Sequence, residues 1–387
     1  MSELTTSQDQ LFFPTMETTT SFYDHASELF PNSDSFTRIK FYQLMLNLEK
    51  FARPSLQFQY YLSFFGIVLT LIHLVILTRK VMMMSSIIAI MVGVGICDLI
   101  AMIATIESVN MFFDEEGTDC TPPVTLFAYK SFWIFVVIRD FVRRSSTWLA
   151  VMMALVRFVF IKFGTSVTFQ KCSKPIFGFF VILGCFVFSA IISFIYFFRY
   201  DIVEKGVWSP KDFCTNIPLS TRVVIHTQQR SELYTANNEI FGKTYMLVNG
   251  IVSKLIPCIL LPALTFTLVL ELRRAETLRK NSQFSKRVNT EKTTGLVIFM
   301  AVSFFVLELP IGISWVFQVA YTDIGFLYLA TYLNHLCNSI FIINATCHGI
   351  VCFMMSTQYR ATVATILRLN RDQSTSVNST QMSRVGK

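Results

Sequence analysis

The sequence predicts an all-α membrane protein, a bundle of seven transmembrane helices followed by a short amphipathic helix. Hydrophobic residues make up 53% of the chain, charged residues only 15%, and the mean hydropathy is +0.52. This composition is too apolar for a soluble domain of the same length. Seven hydrophobic stretches reach the roughly 20 residues that cross a bilayer, and they lie at 57–78, 85–111, 130–161, 175–199, 244–270, 293–318 and 326–352. The bundle is therefore expected over residues 57–352.

Residues 1–56 precede the first span, are polar and acidic, and are expected to form an extracellular tail. They show no basic segment followed by an apolar core, so no cleavable signal peptide is predicted. Phe41, Met45 and Leu48 recur at helical spacing before Pro54. That pattern would suit a short amphipathic helix on the outer surface, but a linker along the membrane interface is the favoured interpretation.

Basic residues are concentrated in alternate loops, and this distribution predicts the orientation of the chain. Arg79 and Lys80 follow the first span, lysines lie between the third and fourth, and seven basic residues lie between the fifth and sixth. The acidic tail and the acidic loop at 114–119 fall on the other side. The positive-inside rule then places the N-terminus outside the plasma membrane and the C-terminus inside. The net charge of +8 thus reflects topology, and no nucleic-acid partner is expected.

The chain after the last span divides into two segments. Residues 353–370 are expected to form a cytoplasmic amphipathic helix on the inner membrane surface, because one helical face carries Tyr359, Val363, Ile366 and Leu367. Residues 371–387 are polar and rich in serine and threonine, which predicts a disordered cytoplasmic tail.

The cysteines offer one disulfide in an oxidising exterior. Of nine cysteines, only Cys120 and Cys214 fall in predicted outer loops. A bond between them is expected, with two free thiols as the alternative. A thiol inside a span behaves instead as a small hydrophobic side chain.

The seven spans, the outer N-terminus and Arg157 at the inner end of the third span together suggest a rhodopsin-like G-protein-coupled receptor. Several blocks over about residues 57–365 resemble the nematode serpentine chemoreceptors of class W, relatives of FMRFamide-type peptide receptors: TRKVMMMSSIIAIMVGVGICDLI, RRSSTWLAVMMALVR, SKLIPCILLPALTF, EKTTGLVIFMAVSFFVLELPIGI and NATCHGIVCFMMSTQYR. The resemblance implies a receptor for an extracellular neuropeptide or other polar chemosensory cue that activates a heterotrimeric G protein. It also implies membrane lipid as a partner, and arrestin and a receptor kinase at the tail.

The resemblance assigns roles to individual positions. Arg157 matches the arginine of the Asp-Arg-Tyr motif at the G-protein interface, but Val156 and Phe158 flank it here. Its usual acidic partner on helix six is replaced by Thr290, with Glu291 adjacent. Pro257 and Pro310 match the kink prolines of helices five and six. Glu308 stands where the family has the rotamer-switch tryptophan of helix six. His348, Gly349 and Cys352 fall on the Asn, Pro and Tyr of the Asn-Pro-x-x-Tyr motif.

Asp98, Ser146 and Asn344 match three positions of the sodium cavity found in many rhodopsin-like receptors. His348 stands where that cavity has an asparagine of helix seven. Since imidazole competes poorly for sodium among oxygen ligands, we expect a direct Asp98–His348 pair in place of the ion. In the alternative, His348 bonds a backbone carbonyl and leaves the cavity unchanged.

Charged residues within the spans are the candidate ligand-binding set. Each costs about 2.5–3.5 kcal/mol to insert, and the set comprises Glu107, Arg139, Asp140, Arg143, Arg144, Lys254 and Glu308. We expect these groups to converge in the outer half of the bundle as a polar ligand cavity. In the alternative interpretation they neutralise one another, with Asp140–Arg144 and Arg143–Glu308 as internal pairs.

The charge count leaves the ligand open between two kinds of peptide. Four basic groups against three acids favour a ligand with an anionic end, such as a peptide carboxylate. An Arg-Phe-amide peptide would instead use Glu107, Asp140 or Glu308.

Two other function classes are weighed against a receptor. A transporter or channel with a polar central cavity would often show matched, Gly/Pro-broken spans in inverted repeats, and no such symmetry is found. An enzyme is not predicted, because the chain has neither a His-Glu-x-x-His motif nor paired catalytic carboxylates. No cofactor and no metal site are predicted.

Overall fold

The computed structural model describes residues 21–114, 120–163, 171–214, 217–280, 290–321 and 323–367. Within these ranges, seven helical segments are long and apolar enough to cross a membrane. The predicted seven-helix bundle is confirmed.

The helices follow one another in the chain as α1 (Ser21–Leu29), α2 (Ser35–Leu77), α3 (Ser86–Asp114), α4 (Leu126–Phe163), α5 (Pro175–Phe197), α6 (Glu232–Gly250), α7 (Ile256–Lys280), α8 (Thr290–Ala320), α9 (Ile324–Met355) and α10 (357–367). A 3₁₀ turn, Lys171–Ser173, precedes α5, and a π-helical turn, Ile251–Leu255, joins α6 to α7. The fifth span consists of α6, the π turn and α7. Near its start, α6 is broken where Asn237, Asn238 and Glu239 have positive φ.

The first transmembrane helix is much longer than predicted. α2 has 43 residues and is capped at its N-terminus by Asp34, whose side chain accepts a hydrogen bond from the Thr37 amide. It continues through Pro54 into the span, so the linker interpretation of this segment is wrong. The helical periodicity of this segment reflects packing within the protein rather than contact with a membrane surface. Its apolar face, with Tyr42 and Met45, packs against α1 and the start of α9.

α2 and α9 contact each other at several levels. Just before the two helices begin, Asn32 donates to the Asp323 carboxylate over 2.5 Å, and the Phe30 ring lies against Phe326 at the start of α9. Further in, the Asn338 amide donates to Gln59. Further along the pair, a Cβ atom on Gly66 would lie only 2.5 Å from Thr346 Oγ1. The backbones of α2 and α9 can therefore approach this closely only because residue 66 is glycine.

The loop between the fourth and fifth spans forms a β-hairpin. Strands β1 (Tyr200–Trp208) and β2 (Val223–Arg230) pair antiparallel, with an irregularity between Glu204 and Gly206. Cys214, in the turn of this hairpin, forms a disulfide with Cys120, which precedes α4. The predicted disulfide is confirmed, and it ties the hairpin to the chain that enters α4.

α10 follows a break at Ser356, whose backbone is extended. Tyr359 is buried, and Val363 and Ile366 pack against the apolar core of the bundle. Leu367, expected on the same face, is 71% exposed. The tail predicted to be disordered, 371–387, lies outside the described residues.

Candidate ligand site and inner face

A buried charge triad links α4, α8 and the π turn. Glu308 of α8 is fully buried and forms ion pairs with Arg143 Nε at 2.7 Å and Lys254 Nζ at 2.9 Å. The Arg143 guanidinium also lies over the Phe341 ring of α9, 5.5 Å from its centroid. One carboxylate therefore holds two cations inside the bundle.

Local backbone chemistry places Lys254 in this triad. Proline at 257 has no amide hydrogen to donate to the carbonyl one turn before it. The preceding turn widens, and the Ile256 amide bonds the carbonyl of Ile251, five residues earlier. Such π turns inside α-helices often occur at functional sites. The turn carries Lys254, which is only 2% exposed and faces α8.

Arg144 is fully buried and joins four helical segments. Its Nε atom donates to Ser253 Oγ, one terminal nitrogen donates to Ser189 O and Ser193 Oγ, and the other donates to Asp140 and Asn249 Oδ1. An arginine has five N–H donors, and here all five have acceptors. A direct ligand contact by Arg144 would therefore require one of these bonds to break.

Arg139 and Asp140 lie half-buried at the outer end of this cluster on α4. Asp140 accepts from Arg144, and Arg139 lies close enough to Asp140 and Tyr196 to interact electrostatically. Glu107 of α3, expected in the same cavity, has an exposed side chain. Both pairs of the neutralisation alternative, Asp140–Arg144 and Arg143–Glu308, are present.

Sequence reasoning missed Arg199, which is 5% exposed just after α5. Its guanidinium lies 5.2–5.8 Å from the ring centroids of Tyr196, Tyr200 and Trp315. Rings at this distance attract a cation through their negative faces. Within the described ranges no carboxylate forms an ion pair with Arg199. The signal for Arg199 in the sequence is the spacing of the aromatic residues around it in YFFRYD. The sequence alone predicts this stretch as the end of the fourth span.

The charge cluster around α4 carries an excess of positive charge. It consists of two acids, Asp140 and Glu308, and five bases, which are Arg139, Arg143, Arg144, Arg199 and Lys254. The formal excess is three positive charges. Internal pairing therefore accounts for only part of the cluster.

In the other half of the bundle, Asp98 Oδ2 lies 3.3 Å from His348 Nδ1, and both residues are buried. Ser146 is buried, and its hydroxyl has no hydrogen-bond partner within the described ranges. Asn344 is half-buried on α9, one turn before His348. The structure thus joins two of the four positions matched to the sodium cavity. It also adds His73 of α2, whose ring centroid lies 5.4 Å from that of His348.

Arg157 lies near the C-terminal end of α4 and is 8% exposed. Its guanidinium is close enough to Cys352 of α9 to interact electrostatically. The side chains of Thr290 and Glu291, expected near it on helix six, lie outside the described residues.

Seven apolar helices that bury a charge cluster towards one end and an arginine at the other define a membrane receptor of the seven-helix class. The chain belongs to the serpentine type 7TM GPCR chemoreceptor family Srw, whose sequence profile matches residues 57–370. It is 21% identical over 365 residues to the G-protein coupled receptor dmsr-1 of Caenorhabditis elegans, an alignment that covers 82% of this chain and 69% of the relative.

These comparisons confirm the predicted family and the predicted class of G-protein-coupled receptor. They do not favour a transporter. The family is one of chemoreceptors rather than of enzymes, and its seven spans define a multi-pass membrane protein.

Proposed function

We propose that this receptor binds an extracellular peptide or small polar ligand with an anionic end in the outer half of the bundle and activates a heterotrimeric G protein through its inner face. The observation that carries the proposal is the positive excess around Arg139, which is half-buried and has no ion pair with a carboxylate in the described part of the chain. Glu308 already holds two cations and Asp140 holds Arg144. An anion is therefore the ligand group that this cluster lacks.

The seven candidate residues divide into two roles under this proposal. Arg139 and Asp140 contact the ligand, with Arg143 below them as the next cation. Arg144 and Lys254 hold Asp140 and Glu308 in position through the contacts described above. Glu107 lies exposed on α3 and would meet a ligand only at the edge of the cavity.

The orientation of the chain is part of the same proposal. The disulfide between Cys120 and Cys214 requires an oxidising exterior. Basic residues concentrate in the loops on the opposite side. The N-terminus would lie outside the plasma membrane and Arg157 inside, with arrestin and a receptor kinase acting on the serine- and threonine-rich tail and α10 against inner-leaflet lipid.

Arg139→Gln should lower the potency of an anionic ligand by about 10-fold to 100-fold, because a hydrogen bond to a charged group contributes about 1.5–3 kcal/mol. Each peptide of a library would be tested with a free and with an amidated C-terminus, using a promiscuous Gα and a calcium readout. We expect the wild type to prefer free carboxylates and the variant to lose that preference.

Lys130→Gln is the matched control, because Lys130 is exposed on the same helix. It should leave the preference for free carboxylates unchanged. A wild-type preference for amidated peptides, or an Arg139→Gln receptor with normal surface expression and unchanged potency, would contradict the proposed ligand site.

We further infer that the Asp98–His348 contact takes the place of a sodium site. A ring N–H directed at the Asp98 carboxylate occupies the oxygen that the ion would need. Agonist affinity should therefore hardly change when sodium is exchanged for a large organic cation. His348→Asn should introduce sodium sensitivity, measured by radioligand competition. A wild-type receptor that already loses agonist affinity strongly in sodium would refute the inference.

A further inference from the structure

The inner half of the bundle brings three metal-ligating side chains together from two helices. His73 of α2 and His348 and Cys352 of α9 are all buried, and their potential ligand atoms lie within 4.8 Å of one another. His348 and Cys352 are four residues apart, so they share one face of α9. His73 reaches them from the neighbouring helix.

Each histidine is oriented through its Nδ1 atom by a different partner. His348 Nδ1 faces Asp98 Oδ2 of α3 at 3.3 Å, and His73 Nδ1 lies 3.0 Å from the Tyr359 hydroxyl of α10. A ring whose Nδ1–H donates to such a partner presents an unprotonated Nε2. This is the arrangement that fixes metal-binding histidines, in which an outer carboxylate or other acceptor sets the tautomer and the ring direction.

The Nε2 atoms of both histidines are buried and have no hydrogen-bond partner within the described ranges. A buried polar atom that is left unpaired destabilises the fold, because it has lost its hydrogen bonds to water. Two such nitrogens lie beside one free thiol. A bound group that accepts a lone pair from each of these three atoms would therefore satisfy them. A cation with a preference for nitrogen and sulfur ligands would satisfy all three.

Backbone packing permits this approach between α2 and α9. A Cβ atom on Gly349 would lie 3.1 Å from the Cβ atom of His73, tighter than ordinary contact. Glycine at this position lets the His73 ring lie against the face that carries His348. The proximity of the two rings is therefore built into the helix pair.

We propose that His73 Nε2, His348 Nε2 and Cys352 Sγ form a Zn²⁺-binding site at the inner end of the bundle. Zinc takes histidine at about 2.0–2.1 Å and cysteine at about 2.3 Å, which sets ligand atoms about 3.3–3.6 Å apart in a tetrahedral site. The candidate ligand atoms lie within 4.8 Å of one another, so small side-chain rotations would bring them to that spacing. A water molecule would complete the coordination.

The charges also fit a divalent ion. Zinc binding displaces the thiol proton to solvent and leaves a thiolate. That thiolate and the Asp98 carboxylate together balance the two charges of the ion. Arg157, which also approaches Cys352, adds a positive charge at the edge of the site. The ion would thus connect α2 to the part of α9 beside the proposed G-protein contact.

The proposal is independent of the ligand and of G-protein coupling, so it is tested by metal binding alone. The full-length receptor would be purified in detergent with an affinity tag that contains no histidine, loaded with zinc, desalted and analysed for metal content. We expect a single tightly held ion in the wild type. We expect none in His73→Gln and none in Cys352→Ser, and added zinc should raise the melting temperature of the wild type only.

Two matched variants control for adventitious binding. His226→Gln changes a histidine of the outer hairpin, and Cys185→Ser changes a buried thiol of α5. Both should retain the ion. Equal metal content in all five proteins would mean an adventitious ion and would overturn the proposal.

Cobalt substitution provides a test that does not depend on the folding of any variant. Tetrahedral Co²⁺ bound by a thiolate gives a sulfur-to-metal charge-transfer band in the near ultraviolet and visible d–d bands. We expect both in the wild type and in the two control variants. Absence of the charge-transfer band from the wild-type receptor would exclude Cys352 as a ligand and overturn the site.

Discussion

Glu308→Gln should destabilise the receptor more than any other single change in the charge cluster. The substitution leaves Arg143 and Lys254 facing each other in the bundle with no carboxylate between them. Removing one partner of a buried ion pair costs about 3–5 kcal/mol. We expect a large fall in the melting temperature of the purified receptor and in its surface expression.

Two further variants separate charge balance from other effects at this position. Lys254→Met alone leaves one carboxylate and one guanidinium, so it should melt near the wild-type temperature or above it. Combined with Glu308→Gln, it should recover part of the lost stability by removing the repulsion. Glu232→Gln, at an exposed position of α6, should have no effect. A Glu308→Gln receptor as stable as the wild type would show that the triad does not stabilise the fold.

Arg157→Ala should abolish signalling, both basal and ligand-driven, while the protein still folds. Val156 stands where related receptors place an acid, so one local restraint on the arginine is missing. We expect appreciable signalling without ligand, measured as G-protein activation against surface expression. Val156→Asp should lower that basal signal several-fold, since an ion pair with the nearby carboxylate would stabilise the restrained position of the Arg157 guanidinium by about 1 kcal/mol.

Arg157→Lys is the conservative comparison, because it keeps the charge and loses the planar fork of donors. It should retain part of the coupling. A receptor that is silent without ligand and unchanged by Val156→Asp would count against the role assigned to this arginine.

The spans and the disulfide could be predicted because each depends on composition along a short stretch of chain. The pairing of Arg143 with Glu308 was anticipated only as an alternative, since sequence shows that charges exist but not which ones meet. The N-terminal segment was assigned to a linker because Pro54 and the polar residues before it resemble a boundary. Its helix depends on packing against α9, which no local pattern reveals.

Arg199 and His73 were missed for a related reason. Each is a single polar residue in an apolar stretch, and neither has a motif around it. Arg199 lies between two aromatic neighbours in the chain, Tyr196 and Tyr200, and the distant ring of Trp315 on α8. His73 acquires its contacts from α9 and α10. The contacts of Arg199 with Trp315 and of His73 with α9 and α10 are fixed by tertiary structure, so the sequence offers only the aromatic neighbours of Arg199 as a signal.

The contacts between α2 and α9 restrict how the molecule can move. The two helices are joined by the Gln59–Asn338 bond and the close approach at Gly66, and the residues just before each helix are joined by the Asn32–Asp323 bond. Two helices that are joined at several positions along their length cannot slide or tilt relative to each other without breaking these contacts. The pair would therefore form the static part of the receptor, and α8 and the fifth span would move relative to it. Spin labels placed on α2 and α9 should keep a constant separation during activation, while a label on α8 moves relative to both.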